Sequence, residues 1–311
     1  MELIRGLHNL RPRHRGCVAT IGNFDGVHVG HQAVISQLAE KSVEFGLPSL
    51  VVIFEPQPLE FFAPDKSVAR LTRLCEKLQA LRHLAVDRVL CIRFNRMFAD
   101  LPAQQFIDHV LVEKLNVKYL VVGDDFRFGH SRTGNYALLQ AAGQQHGFHV
   151  THMHTLGIDG ERVSSTRVRA ALAAGDLMLT EKLLGRRFRM SGRVAHGNKL
   201  GRQLGFPTAN LFVHRKVTPV AGIYIVKLFG VDDHPLPGVA SVGTRPTVDG
   251  TRCLLEVHLF DFNREIYGCQ VHVEFLKKLR DEERYDSLET LRRQIEIDAA
   301  QARSYFGNLL S

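Results

Sequence analysis

The chain has 311 residues, 45% of them hydrophobic, and its 40 basic and 32 acidic side chains give a formal net charge of +8. This apolar content excludes a disordered chain, and the length predicts two domains of roughly 100 to 200 residues each. No apolar run approaches the roughly 20 residues needed to span a bilayer, and the start of the chain has no signal-peptide pattern. We therefore expect a cytoplasmic protein without a membrane partner.

The charge distribution and the cysteines indicate which ligands the chain could bind. A basic chain suits nucleic acids and small anionic substrates such as nucleotides equally well. Here the lysines and arginines are spread along the sequence and form no basic tract with interleaved aromatics, so we expect no nucleic-acid partner. The five cysteines include no Cys-x-x-Cys pair, which favours reduced thiols over a zinc site.

The first half of the sequence alternates short apolar runs with amphipathic segments, which is typical of βαβ units and a mostly parallel sheet. The predicted strands are 17–21, 49–54, 88–92, 119–122 and 149–154. The predicted helices are 31–45, 70–84, 103–115, 135–145, 166–174 and 177–184.

After residue 185 the pattern changes to Gly- and Pro-punctuated runs of period two, which predicts a compact antiparallel barrel or sandwich. The predicted strands are 189–194, 222–229, 238–242, 253–259 and 270–275. A final helix is predicted over 287–306, because Leu288, Leu291, Ile295 and Ala299 recur at helical spacing. We therefore predict two domains, 1–185 and 186–311.

A glycine-rich segment, GNFDGVHVGH at 22–31, follows the first of these strands and opens a helix. That placement points backbone N–H groups and the positive end of the helix dipole at an anion, and the imidazoles of His28 and His31 add donors for phosphate. Nucleotidyl transfer needs such positioning and charge stabilisation more than covalent help. Taken alone, the His-x-Gly-His pattern could also be a chance loop.

Two later segments fit the same site. SSTRVR at 164–169 begins a predicted helix, where hydroxyls could hold a second phosphate and Arg169 could reach the β- and γ-phosphates; the alternative is a plain Ser/Thr helix cap. GDDFRFG at 123–129 follows a strand end, the usual ligand crevice of a doubly wound sheet. Its aromatics could flank a planar ring, or they could simply be buried in a tight turn.

The second domain carries a separate group of motifs. GNKLGR at 197–202 is a basic glycine-rich loop that could cover phosphates but is not a Walker loop. PTAN at 207–210 points one hydroxyl and one amide oxygen to the same side of an extended segment, which suits Mg²⁺ with ATP phosphates; a Pro-led turn is the alternative. Glu256 interrupts an apolar strand, so an inward carboxylate could act as a general base, unless it is an exposed strand residue. The charged run LRDEER at 279–284 could be only a solvated surface cluster.

Taken together, these motifs resemble the bacterial bifunctional riboflavin kinase/FMN adenylyltransferase (FAD synthetase) family over essentially the whole chain. GNFDGVHVGH matches the nucleotidyltransferase segment of that family, SSTRVR matches its Ser-Ser-Thr-x-x-Arg segment, and PTAN matches its kinase motif. The resemblance implies an α/β plus β architecture. A doubly wound, Rossmann-like nucleotidyltransferase domain would precede a six-stranded antiparallel flavokinase β-barrel with a terminal helix.

The resemblance also implies roles for individual residues. Glu256 would be the kinase base, Thr208 and Asn210 would bind Mg²⁺, and His28 and His31 would act in adenylyl transfer. ATP would contact residues in both domains: Gly22, Phe24, Asp25, Gly30, Ser164, Thr166, Arg169, Gly197, Lys199, Gly201 and Arg202. The flavin would lie near Asp125, Phe126, Phe128 and Arg280.

The implied function is two consecutive reactions with ATP as co-substrate: riboflavin to FMN, then FMN to FAD and pyrophosphate. Riboflavin, FMN and FAD would be the other ligands, and the oligomeric state is not readable from the sequence. One departure from the family pattern is Gln57, which stands where many members have histidine and which cannot titrate. Two rival hypotheses remain: an enzyme with one active module, and a nucleotide- or RNA-binding regulator on the same fold.

Overall fold

The computed structural model describes residues 1–64, 68–153, 155–197, 200–215, 217–247 and 250–308; within these ranges the side chains at 200, 245–247 and 250–252 are not described. The chain forms two compact units. The first comprises Met1–Val68 and Thr72–Ser165, and the second comprises Ala69–Leu71 and Thr166–Ser311.

The first unit is built on a six-stranded sheet in the order β1-β4-β3-β2-β5-β6, and all its strand pairs are parallel. Its central strands are almost fully buried because helices cover both faces, which explains why they appear in the sequence as continuous apolar runs. The strands are β1 (Glu2–Arg5), β2 (Cys17–Ile21), β3 (Ser49–Glu55), β4 (Arg88–Arg93), β5 (Val117–Gly123) and β6 (His149–Met153). A short antiparallel pair follows, β7 (Gly157–Ile158) and β8 (Glu161–Arg162).

The helices of this unit connect the parallel strands. They are α1 (Val29–Phe45), α2 (Pro58–Phe62), α3 (Leu74–His83), α4 (Arg96–Ala99), α5 (Ala103–Gln105) and α6 (Tyr136–His146). Short α5 continues directly into a π-helical stretch, Phe106–Lys114, in the region where the sequence predicted an ordinary α-helix. Within the described residues, this unit also has 3₁₀ turns at Leu7–Asn9, Pro12–His14 and His130–Arg132.

The second unit contains a closed barrel in the strand order β10-β13-β12-β11-β14-β9, with antiparallel pairing throughout. This confirms the predicted six-stranded barrel. Its strands are β9 (Arg189–Ala195), β10 (Thr208–Phe212), β11 (Gly222–Phe229), β12 (Leu236–Thr247), β13 (Gly250–Leu259) and β14 (Gln270–Arg280). The helices are α7 (Ser165–Ala174), which begins at the last residue of the first unit, α8 (Leu177–Leu184), α9 (Leu200–Gln203) and α10 (Leu288–Gly307).

The terminal helix begins where the sequence predicts. The hydroxyl of Ser287 accepts a hydrogen bond from the backbone N–H of Thr290, which supplies the N-cap. Ala299 and Ala302 pack with Ile225 and Phe260 in a small core between α10 and the barrel wall. None of the helices in the described ranges combines the length and apolarity that a membrane crossing requires.

Candidate functional sites

The phosphate loop, residues 22–28, connects central strand β2 to the N-terminus of α1. His28 is the N-cap of α1, and its Nδ1 accepts a hydrogen bond from the backbone N–H of His31 at 3.3 Å. Because Nδ1 is an acceptor, the neutral ring carries its hydrogen on Nε2. The loop therefore combines backbone N–H groups at a helix N-terminus with an imidazole donor, an arrangement that suits an anion.

His31 stacks on His28, with ring centroids 3.6 Å apart and planes at 17°. Burial lowers the pKa of His31 well below its ordinary value, and electrostatic interactions with His28 and with the Lys77 ammonium lower it further. The ring is therefore neutral at pH 7. Its Nδ1 atom is enclosed and has no hydrogen-bond partner within the described part of the chain. An enclosed polar atom without a partner is costly, which is consistent with a ligand completing this site.

The other predicted residues of this segment line or support the loop. A Cβ at Gly30 would lie 3.2 Å from His28 Nδ1, so a larger residue here would require the ring to shift by a few tenths of an ångström. Gly22 similarly lies against the Phe24 ring. The Asp25 side chain is 2% exposed and accepts hydrogen bonds from Thr72, so it faces the protein interior.

The segment at 163–165 is brought to the phosphate loop. The hydroxyl of Ser165 donates to the backbone oxygen of Asp25 at 2.9 Å, and Ser164 is its immediate neighbour. Thr166 and Arg169 follow on α7. Arg169 donates from Nε to the backbone oxygen of Ala69 at 2.7 Å.

The predicted aromatic pair lies beyond the carboxyl end of β5. Phe126 and Phe128 are stacked, with centroids 5.5 Å apart and planes at 17°. Phe128 is buried against Phe106, whereas Phe126 is half-buried. The carboxylate of Asp125 is exposed and pairs with Arg162 at 2.7 Å.

Gln57 directly precedes α2 in the same unit. Its side chain is buried, and its amide nitrogen has no hydrogen-bond partner among the described residues. Its backbone N–H donates to Glu60 at 3.0 Å. The amide of Gln57 is therefore a buried hydrogen-bond donor, but unlike a histidine at this position it cannot gain or lose a proton.

The barrel presents its predicted residues in two cross-strand rows on one face. Asn210 of β10 lies opposite Glu256 of β13, which lies opposite Ser241 of β12; Thr208 and His258 are paired in the neighbouring row. Directly opposed side chains have Cβ atoms about 4.5–5.5 Å apart. The ladder therefore places the hydroxyl of Thr208, the amide of Asn210 and the carboxylate of Glu256 side by side.

The expectation that Glu256 points into the barrel is wrong, because Glu256 lies on the outer face of the barrel wall. Its strand neighbours Leu255 and Val257 are fully buried and belong to the opposite face, which fills the barrel. Glu256 is half-buried and faces a cavity of about 550 Å³ between the outer wall and α10. The period-two pattern was right about the shared face with His258 but could not say which face was the interior.

Two glycines of the predicted loop lie directly against the PTAN motif. A Cβ at Gly197 would collide with the amide of Asn210, and a Cβ at Gly201 would meet the backbone oxygen of Phe206 and the side chain of Thr208. Gly201 lies in short helix α9 rather than in an open loop. Lys199, also predicted to bind ATP, lies outside the described residues.

A second cavity, of about 450 Å³, lies where Ala209 of β10 and Val257 of β13 meet residues 262–267. Both volumes are within the range of ordinary ligand pockets. The exposed side chain of Arg202 and the aromatic ring of Tyr267 line the second cavity, and Thr208 lines both. Two ligands could therefore approach the Thr208–Asn210 segment from its two faces.

The sequence predicts Arg280 as a flavin-binding residue but gives no prediction for the residue that holds it. Arg280 lines the larger cavity, and its guanidinium donates to both carboxylate oxygens of Asp298, with a shortest distance of 2.7 Å. Asp298 is 3% exposed and also accepts from Gln294. The sequence signal that could have identified Asp298 is its position next to Ala299, on the apolar face of α10, where an acidic residue requires a partner.

His258 was recognised only as a neighbour of Glu256. Its Nδ1 lies 3.0 Å from the backbone oxygen of Pro207, so this nitrogen carries the hydrogen and donates to the first residue of PTAN. Burial lowers the pKa of His258 from its ordinary value. The ring therefore supports the motif as a neutral donor.

Two family models match the chain in succession. The model described as FAD synthetase matches residues 10–167, and the model described as riboflavin kinase matches residues 184–306.

Among curated proteins, the chain is 54% identical over 308 residues to a bifunctional riboflavin kinase/FMN adenylyltransferase of Escherichia coli K12, covering 99% of this chain and 98% of that protein. Proteins of the same name from Pseudomonas fluorescens and Haemophilus influenzae are 53% and 49% identical. These matches cover 98% and 99% of this chain, and 97% and 100% of the respective relatives.

A solved structure shares the architecture of the full chain. It is described as a macrolide-efflux protein from Streptococcus pneumoniae, is 30% identical and has a TM-score of 0.82. The match covers 97% of this chain and 99% of that one.

Proposed function

The chain belongs to the family of bifunctional riboflavin kinases/FMN adenylyltransferases, and from that premise we propose that two separate sites perform its two reactions. The enzyme makes flavin cofactors: it phosphorylates riboflavin with ATP to give FMN, and it adenylylates FMN with a second ATP to give FAD and pyrophosphate. The barrel face would carry out the first reaction and the phosphate loop the second.

In the kinase reaction, Glu256 is the general base. The carboxylate takes the proton from the 5′-hydroxyl of riboflavin as that oxygen attacks the γ-phosphorus of ATP, and ADP leaves. The cross-strand register supports this role because it sets Glu256 beside Thr208 and Asn210. Riboflavin would occupy the larger cavity near Arg280, and ATP would approach from the side of Gly197, Lys199, Gly201 and Arg202.

The donor set at the PTAN motif fits Mg²⁺. Thr208 and Asn210 offer hard oxygen atoms on one face of β10, next to a carboxylate, and phosphate oxygens can complete such a site. When bound there, Mg²⁺ supplies positive charge that neutralises the phosphates. Thr208 and Asn210 would orient the triphosphate for in-line attack on the γ-phosphorus.

In the adenylyl transfer, an oxygen of the FMN phosphate attacks the α-phosphorus of ATP and pyrophosphate leaves. The FMN phosphate is already ionised at neutral pH, so no general base is needed. His28, His31 and the N-terminus of α1 would stabilise charge on the transferring phosphate. Other residues would hold the ATP: Gly22, Phe24, Asp25, Gly30, Ser164, Thr166 and Arg169.

The flavin of the second reaction would lie near Asp125, Phe126 and Phe128. Half-buried Phe126 is the member of this aromatic pair that could contact a planar ring. Gln57 would keep a structural role near α2, since an amide can donate a hydrogen bond but cannot transfer a proton at neutral pH.

We place the boundary of the functional modules near residue 185, so that 1–185 carries adenylyl transfer and 186–311 carries the kinase. The two family models support this division because the second begins at residue 184. A cytoplasmic location is supported by five cysteines that are all free thiols, of which Cys17 and Cys91 are buried.

The register Asn210–Glu256–Ser241 is the observation that carries this assignment of the kinase site. The test is to incubate the purified chain with riboflavin, ATP and Mg²⁺ and to follow the flavins by chromatography. We expect FMN first and FAD later. If neither product formed, an RNA- or nucleotide-binding role would be favoured; if FMN accumulated unchanged, only the kinase module would be active.

A further inference from the structure

The phosphate loop has a backbone that its own sequence does not favour. Phe24 and Val27 adopt positive φ values of 47° and 42°. Such values are uncommon for residues other than glycine and are true outliers for a β-branched side chain such as valine. A strained loop persists only where the surrounding structure holds it in place.

Thr72 supplies part of that support. Its backbone N–H and its hydroxyl donate to Oδ1 of Asp25, at 3.0 and 3.3 Å, and the backbone N–H of Gly26 donates to the same hydroxyl at 2.9 Å. All of these groups are buried. One threonine therefore fixes both a side chain and a backbone group in the middle of the loop.

Lys77 supplies a second support from α3. Its side chain is 0% exposed, and its ammonium donates to the backbone oxygen of Asn23 at 2.5 Å. Lysine is almost never fully buried, because burying its charge is costly unless partners compensate. The ammonium is close enough to His31 to contribute to the lowered pKa of that ring. Its charge therefore acts on the site that would receive the triphosphate.

We propose that Thr72 and Lys77 are positioning residues for adenylyl transfer. Acting from outside the loop, they hold residues 23–26 so that the α1 N-terminus and the rings of His28 and His31 keep their relative placement. This inference rests on the proposed role of the phosphate loop. Neither side chain has to touch ATP, since Thr72 acts through the groups that it holds and Lys77 acts through the backbone oxygen that it holds and through its charge at a distance.

Losing this support should lower the rate of adenylyl transfer, because the reacting groups would no longer be aligned. A displacement of about 1 Å in a group that aligns a reaction can reduce the rate roughly 100-fold. Thr72 is suited to a test, because valine has nearly the same shape but lacks the hydroxyl. Replacing threonine by serine keeps the hydroxyl and removes a methyl group.

The experiment compares the full-length wild type with Thr72→Val and Thr72→Ser. FMN and ATP are supplied, and kcat and KM for FAD formation are measured. Riboflavin phosphorylation and the unfolding temperature are measured on the same preparations. We expect Thr72→Val to lose roughly 10- to 100-fold in kcat, with a smaller change in the KM for ATP. Thr72→Ser should stay within about threefold of the wild type, and riboflavin phosphorylation should be unchanged in both variants.

Lys77→Met, with exposed Lys114→Met as the matched control, tests the second support. Lys77→Met should lower kcat for FAD formation roughly 10-fold or more and should raise the KM for ATP, because a positive charge is lost; Lys114→Met should match the wild type. If Lys77→Met does not fold, the comparison of Thr72→Val with Thr72→Ser still tests the proposal.

Three results would overturn the proposal. These are an unchanged FAD-forming activity in Thr72→Val, an equal loss in Thr72→Ser, or a loss shared by both reactions together with a lowered unfolding temperature. A wild type that forms no FAD from supplied FMN would instead contradict the proposed function itself, so the two failures are distinguishable.

Discussion

In the proposed assignment the phosphate loop and the barrel face each hold a nucleotide phosphate, but the structure positions the two sites by different means. On the barrel, neighbouring strands place Asn210, Glu256 and Ser241 in one row, so the hydrogen-bond ladder fixes their relative positions. The loop has no ladder, and its strained backbone is held by hydrogen bonds from Thr72 and Lys77. A site on a sheet is positioned by the fold, whereas a site on a loop needs dedicated supporting residues.

The two regions also differ in charge. The barrel face offers a carboxylate, which can accept a proton from a hydroxyl substrate. The phosphate loop offers helix N–H groups and a neutral His31, which can stabilise a phosphate but are poorly suited to take a proton from a hydroxyl. This contrast fits the two proposed reactions: the hydroxyl of riboflavin must lose a proton, whereas the phosphate of FMN is already ionised.

The largest expected effect comes from removing the carboxylate. Glu256→Gln keeps the size of the side chain but cannot accept the proton, so riboflavin phosphorylation should fall roughly 10²- to 10⁴-fold. FAD formation from supplied FMN should be unchanged, since we propose that it takes place at the phosphate loop. Both rates are measured on one preparation, with exposed Glu289→Gln as the control. A parallel loss in both reactions would remove the contrast between the sites.

The corresponding change in the loop is His28→Asn. An asparagine oxygen can still accept the hydrogen bond from the His31 N–H and cap α1, but the imidazole Nε2 donor is lost. We expect FAD formation to fall roughly 100-fold or more, with riboflavin phosphorylation retained. Steady-state rates with FMN or riboflavin supplied check this, and exposed His109→Asn is the control. Full activity in His28→Asn would show that the ring serves only as a cap.

A smaller effect is expected from Asp298→Asn in the barrel site. Asp298→Asn removes the charge that orients Arg280, so the KM for riboflavin should rise several-fold while kcat changes less. Stability should fall by about 1–3 kcal/mol, because a charged hydrogen bond is lost in a largely buried place. Kinase kinetics and urea unfolding measure the two effects, and exposed Asp286→Asn is the control. An unchanged KM would mean that Arg280 does not need this carboxylate.

The smallest effect concerns the neutral ring of His31. Its pKa is lowered in the folded state, so below about pH 6.5 the unfolded chain binds a proton that the folded chain does not. Stability is therefore lost as the pH falls, with a slope of at most about 1.4 kcal/mol per pH unit from this group. In urea unfolding between pH 7.5 and 5, His31→Gln should show a shallower decline than the wild type. Exposed His83→Gln should follow the wild type, and identical slopes in all three proteins would contradict a lowered pKa.

Much of the fold was predictable from the sequence because periodicity and caps are local signals. Helix α8 and strand β11 have the predicted bounds, and α10 begins at Leu288, one residue after the predicted start. Other elements were missed or misplaced for physical reasons. Strand β1 is only four residues long, and α3 begins at Leu74 rather than Arg70 because residue 73 is still extended.

The sites were less predictable than the fold, because their supports depend on contacts distant in sequence. Lys77 looks like an ordinary lysine of an amphipathic helix, yet it reaches a backbone oxygen 54 residues earlier. Asp298 likewise pairs with an arginine 18 residues away. Motifs can locate groups that face a ligand, whereas supporting groups become visible only when the chain is folded.

Mixing two inactivated variants would show whether the two reactions occur at separate sites. Glu256→Gln and His28→Asn are each incubated with riboflavin, ATP and Mg²⁺, first alone and then in equal amounts, and the flavins are separated over time. We expect no FMN from Glu256→Gln, FMN without FAD from His28→Asn, and FAD after a lag from the mixture. A mixture that forms no more FAD than His28→Asn alone would contradict the proposal of separate sites.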